Sequence, residues 1–162
     1  MSLVTPSIVE KLQRALQAKA KAEPEYRFYQ LYDKLYREDV LTHAYKLCRS
    51  NRGAPGVDGV DFEQIESYGL AQWLGELTLE LKQKTYQSKP VRRVWLPKPD
   101  GTSRPLGIPC ICDRVLQTAA VLVLESIFEP DLQPEQYAYR RGRNAHDAIR
   151  HVHKLVNTGI PM

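Results

Sequence analysis

The sequence predicts an α+β fold, mostly helical with one long antiparallel β-hairpin, and three observations point to it. Apolar residues recur at three- and four-residue spacing in several separate stretches. Two short apolar-rich runs, 91 to 96 and 102 to 108, flank Pro99-Asp100-Gly101, which is a hairpin signal. No internal repeat or low-complexity tract interrupts the chain, and 162 residues with 43% apolar content suffice for one core.

The first helix is expected from Ile8, Leu12, Ala15 and Leu16 on one face, opened by Ser7 and Glu10 at capping-box spacing. After Pro24, Phe28, Leu31, Tyr32 and Leu35 mark a second helix. Val40, Leu41, Ala44, Tyr45 and Cys48 mark a third that stops near Gly53. The run Gly53-Ala54-Pro55-Gly56-Val57-Asp58-Gly59 is dense in turn formers, with Pro55-Gly56 suited to a type II turn and Asp58-Gly59 to a second reversal. It is no P-loop, because no Gly-Lys-Ser/Thr follows. Leu70, Trp73, Leu74, Leu77 and Leu81 then give a helix with Glu76 and Glu80 on its other face.

The hairpin fixes the most geometry. Pro99, Asp100 and Gly101 suit a three-residue loop whose last residue takes the left-handed conformation. Lys98 then opposes Thr102 and Leu96 opposes Arg104, so alternation puts Lys98 and Arg104 on one face near the tip. Val94, Leu96, Leu106 and Ile108 continue that face, while Arg93 and Trp95 take the reverse. Asp113 is read as the cap of a central buried helix carrying Val115, Leu116, Ala119, Leu122, Val123 and Ile127, which Pro130 ends. The last helix opens at Asn144, with Asp147 three residues on, and Gly159 and Pro161 stop it.

Charge bounds the function without naming it. The net charge is +4, and five basic residues stand against one aspartate both from 89 to 104 and from 140 to 154. Such stripes fit an anionic partner. Cys48, Cys110 and Cys112 read as reduced structural thiols. His146, His151 and His153 lack metal-ligand spacing, so no metal site is expected. No apolar run reaches the ~20 residues of a membrane span, and a soluble, cytoplasmic protein is the expectation. Asp58 and Asp61 sit where turns favour aspartate for conformational reasons. Lys98 and Arg104 stand out, because a point charge beside a bidentate fork can grip a polyphosphate, with a solvated tip as the equal alternative from the residues alone. Arg140, Arg141 and Arg143 precede a helix N-terminus, where phosphates are favoured.

Four ordered blocks carry a resemblance. They are residues 53 to 59; Arg92-Arg93-Val94-Trp95-Leu96-Pro97-Lys98-Pro99-Asp100-Gly101 leading to Arg104-Pro105-Leu106-Gly107-Ile108-Pro109; Asp113-Arg114-Val115-Leu116-Gln117; and residues 124 to 130 with Tyr137 to Ala148. In order and spacing the series resembles group II intron reverse transcriptases, the RNA-directed DNA polymerases that also act as maturases. The resemblance implies a helical N-terminal extension over 1 to 52, and the fingers and start of the palm over 53 to 162, together forming one compact unit. It also implies that Lys98 and Arg104 clasp the triphosphate of the incoming dNTP. Arg92, Arg93, Arg140 and Arg143 follow the RNA template backbone, and Gly53, Pro55, Gly56, Asp58 and Gly59 form a lid over the template. The implied partners are template RNA, intron RNA, a DNA primer and dNTP. Mg²⁺ is expected in the full enzyme, on aspartates that fall beyond Met162, so the chain alone is expected to be inactive. Where the family reads Gly-Phe-Arg-Pro, this chain has Ala138-Tyr139-Arg140-Arg141. Two other readings stand beside this one: a non-catalytic intron-RNA-binding module, and a homodimer formed through exposed apolar surface.

Overall fold

A computed structural model describes residues 3–140 and 142–158. Its helices are α1 (Ser7–Ala22), α2 (Tyr32–Leu35), α3 (Glu38–Ser50), α4 (Phe62–Tyr68), α5 (Leu70–Gln83), α6 (Ile111–Phe128) and α7 (Ala145–Thr158). Strands β1 (Arg92–Pro97) and β2 (Ser103–Ile108) form an antiparallel two-stranded sheet. The mostly helical α+β architecture is therefore as read from the sequence.

The core gathers around α6. Val115, Ala119 and Leu122 pack in one cluster with Val9 of α1, Val40, Leu41 and Ala44 of α3, Phe62 and Ile65 of α4, and Leu74, Leu77 and Leu81 of α5. The Tyr45 ring stands edge-on to Phe62 at 5.7 Å and tilted to Trp73 at 5.9 Å, a favourable arrangement of ring quadrupoles. Polar ties close the seams. Gln13 donates to the Leu122 carbonyl at 2.9 Å, and Tyr32 to the Leu81 carbonyl at 2.9 Å. Burial of α6 is one-sided, because Val121, Leu124 and Phe128 remain exposed.

Several local expectations need correction. No capping box opens α1, because Pro6 is the cap residue and Ser7 already lies inside the helix. Glu10 instead pairs with Arg14 at 2.6 Å. The inward face holds Val9, Leu12 and Ala20, while Ile8 is exposed. The second helix shrinks to the four residues of α2 and leaves out Phe28, whose ring packs edge-on against Tyr26 at 5.0 Å. Asp61 does more than turn the chain. It forms a complete capping box with Gln64 and opens α4, a helix the apolar spacing alone did not mark. Cys110, not Asp113, occupies the N-cap position of α6, and its side chain makes no capping hydrogen bond.

The glycine-rich segment also differs. Gly56 has no left-handed backbone, so Pro55-Gly56 makes no type II turn. The reversal spans residues 56 to 59, closed by the Gly59 amide on the Gly56 carbonyl, with Gly59 at φ +70°. α7 opens as expected, with Asn144 and Asp147 exchanging side-chain and backbone hydrogen bonds at 3.1 Å each. The expected stop at Gly159 and Pro161, and Arg141, lie outside the described residues.

Candidate functional site

The hairpin has the register its loop demands. Leu96 faces Arg104 and Val94 faces Leu106, and the Lys98 amide donates to the Thr102 carbonyl at 2.8 Å. Gly101 takes φ +81°, which closes the three-residue loop at no side-chain cost. Asp100 accepts from the Thr102 amide at 2.9 Å and stiffens the tip. By strand alternation Lys98 and Arg104 therefore share a face with Arg92, whereas Arg93 belongs to the opposite one. Lys98, Arg104, Arg92 and Arg93 are all exposed, and among the described residues none has a carboxylate partner. Four cations are thus free to meet an anion.

Arg140 and Arg143 are differently placed. Arg140 donates through Nε to Glu129 at 3.0 Å and through Nη1 to the Gln133 carbonyl at 2.9 Å, and its side chain is nearly covered. Arg143 bonds the Pro134 carbonyl and lies 5.2 Å over the Tyr137 ring. Both hold the segment between α6 and α7 together. In the same segment Tyr139 stands fully exposed with a left-handed backbone at φ 59°, a conformation that costs a non-glycine residue energy.

The loop over residues 53 to 59 lies against the first turn of α6. A Cβ on Gly53 would come within 2.2 Å of Arg114 Nη1, and one on Gly56 within 2.6 Å of Cys110 Cα. Asp58 accepts from the Val60 amide at 3.3 Å and pairs with Lys89 at 3.2 Å. Burial alone would raise the Asp58 carboxyl, but hydrogen bonds from Cys110, Lys89 and the Val60 amide carry it below the usual aspartate value. The hydrogen bond with Asp58 likewise raises Lys89.

Sequence reasoning missed Asp113 as a buried anchor. The residue is 6% exposed. It accepts from the Tyr86 hydroxyl at 2.7 Å and from the Lys89 amide at 3.3 Å. Burial, then the bond to Asp113, raises the Tyr86 hydroxyl far above its ordinary range. The block Asp113 to Gln117 marks the position in the sequence but not its partners, which lie 27 and 24 residues away in the chain. Among the described residues no three His, Cys, Asp or Glu side chains converge as a metal-ligand set. No described helix is long and apolar enough to cross a membrane.

No protein-family profile matches the chain. Protein YkfC of Escherichia coli K12 is 38% identical over 147 residues, covering 90% of this chain and 38% of that protein. Group II intron-encoded protein LtrA of Lactococcus lactis is 33% identical over 124 residues, 76% of this chain and 20% of LtrA. The putative COX1/OXI3 intron 1 protein of Saccharomyces cerevisiae is 27% identical over 117 residues, 72% and 14% of the respective lengths. The chain thus spans well under half the length of the curated relatives it matches. With the motif series, these similarities make the chain a relative of the group II intron reverse transcriptase and maturase proteins over about three quarters of its length.

Proposed function

We propose that this chain is the substrate-gripping part of an RNA-directed DNA polymerase of the group II intron kind. The observation that carries this reading is the hairpin tip, where one register holds Lys98 and Arg104 on a common face, neither of them in an ion pair among the described residues. An ammonium and a guanidinium so placed suit a triphosphate, one as a point charge and the other as a two-pronged donor. Arg92 extends the same face and Arg93 the reverse. The two arginines can therefore follow template phosphates on either side of the hairpin. The loop over residues 53 to 59 lids the template. Arg140 and Arg143, tied to Glu129, Gln133 and Pro134, contribute to that path through the backbone they shape. Intron RNA and a DNA primer are the further partners of the whole polymerase. In the whole polymerase, carboxylates would hold the Mg²⁺ that supplies phosphoryl-transfer chemistry.

Equilibrium binding of a dNTP and of a labelled single-stranded RNA tests the reading. Lys98→Ala and Arg104→Ala should each weaken dNTP binding about tenfold, the loss expected when a charge-assisted hydrogen bond is removed. RNA affinity should change by less than about twofold, one phosphate contact among many being dispensable. Equal loss of RNA binding would reassign both residues to the template. RNA binding with no dNTP binding at all would leave the non-catalytic intron-RNA module as the better account.

A further inference from the structure

The first turn of α6 touches both parts of the proposed substrate surface, and adjacent residues do the touching. Arg114 donates to the Ala54 carbonyl, lies 5.9 Å from the centre of the Phe62 ring, and presses its guanidinium where Gly53 has no side chain. Its neighbour Asp113 reaches the other way, to the Tyr86 hydroxyl and the Lys89 amide, three residues ahead of β1. Lys89 then closes the circuit, because its ammonium pairs with Asp58 of the loop while its amide is held by Asp113. Loop, helix turn and hairpin root are thus joined by two sets of hydrogen bonds that meet at the Asp113–Arg114 peptide: Arg114 holds Ala54, while Asp113 holds the Lys89 amide, whose side chain returns to Asp58.

We propose that Asp113 and Arg114 are positioning residues that couple the two grips: template seated under the 53–59 loop sets the hairpin root, and so strengthens nucleotide binding at Lys98 and Arg104. This rests on the substrate reading given above. The geometry offers a route for coupling, because one helix turn is tied through adjacent residues to the loop on one side and to the hairpin root on the other. Asp113 is buried and therefore cannot exchange its partners for water without loss. Lys89 cannot shift along the chain direction without breaking either its amide bond to Asp113 or its ion pair with Asp58. A displacement of the loop is thereby felt three residues before the first strand residue of the hairpin.

The test is a binding cycle on the chain as it stands, using dATP and a single-stranded RNA of about 20 nucleotides, a length that lets several phosphates engage. Saturating RNA should tighten dATP binding about fivefold, and saturating dATP should tighten RNA binding by the same factor, since coupling is reciprocal. Tyr86→Phe removes one hydroxyl from the network at nearly constant volume. It should leave each ligand's separate affinity within about twofold and bring the coupling factor close to one. Arg114→Lys, which retains charge but loses the fork that meets Ala54, should do the same. Should Tyr86→Phe or Arg114→Lys lower only the thermal midpoint while the fivefold factor persists, the network is merely structural and the proposal is overturned. A parent protein that binds both ligands without coupling overturns it too and leaves the substrate reading intact. Failure of the parent to bind dATP in either state overturns both.

Discussion

At the scale of single residues, glycines 56 and 59 show how the same residue type serves two physical ends. Gly56 has an ordinary backbone but faces the Cys110 main chain, so any Cβ would have to move a helix start. Gly59 has open space around it and a left-handed backbone instead. Gly56→Ala should therefore cost about 1–3 kcal/mol by overpacking, and Gly59→Ala about 1–2 kcal/mol by backbone strain. Urea unfolding midpoints check both, and Gly59→Asn should recover part of the second loss but not Gly56→Asn of the first. The Asp58–Lys89 pair has its own signature. Asp58 has a folded-state value below the ordinary 3.8, so its stabilisation is fully present above that value and fades as pH falls through the lower folded one. Lys89 is raised above 10.5, and its stabilisation is present below that value and fades as pH rises past the folded one. Amide exchange in residues 57 to 60 should thus show constant opening free energies across neutral pH. Protection should fall only under acid conditions below the ordinary aspartate range or alkaline ones above the ordinary lysine range. A step in opening free energy near pH 6 or 7 would assign the loop's anchorage to other groups.

Among the elements, the hairpin is the one whose function depends on parity. Because side chains alternate, exchanging neighbours moves a charge across the sheet without changing composition. The double variant Ser103→Arg with Arg104→Ser should lose dNTP affinity as fully as Arg104→Ala does, about tenfold, although its net charge is that of the parent. Retained affinity in a titration would mean that charge near the tip, and not its face, is what matters. This hairpin was legible from sequence because its loop is three residues long and its partners are close in the chain. Other elements were less so. α4 buries only Phe62 and Ile65 across seven residues, too little for apolar periodicity, and its signal lay in Asp61 and Gln64 instead. Phe28 and Leu31 had helical spacing without enough core to meet, and the chain there stays irregular up to Tyr32. Asp113 stood in a helix start where caps are common, and only the fold, by bringing Tyr86 and Lys89 to it, turned the residue into an anchor. Motif order located the candidate cations Lys98 and Arg104; which cations are already engaged, as Arg140 is by Glu129, required the tertiary arrangement.

Across the molecule, stability is unevenly spread. α6 lies at the centre of the core, whereas α7 buries no residue fully and leaves Ile149, Val152 and Val156 exposed. The side-chain tie from His151 to Tyr137 at 2.8 Å and the Asn144–Asp147 cap help hold a helix of 14 residues, a length that is marginal in isolation. In hydrogen exchange, amides in the middle of α7 should be protected at least ~100-fold less than those around Val115 to Val123 of α6. Comparable protection in the two helices would show α7 to be held by contacts beyond those described. The hairpin raises a different question at this scale, since a two-stranded sheet has two unpaired edges. Here Pro97 and Pro105 remove backbone donors, and Arg93 and Arg104 put charge along the strands, while Trp95 and Leu106 remain open to solvent. The same prolines and arginines that frame the proposed grip also discourage strand addition from other chains. Replacing the two prolines with valine would leave a long, apolar, hydrogen-bonding edge, and a substrate-gripping arm would become a nucleus for aggregation.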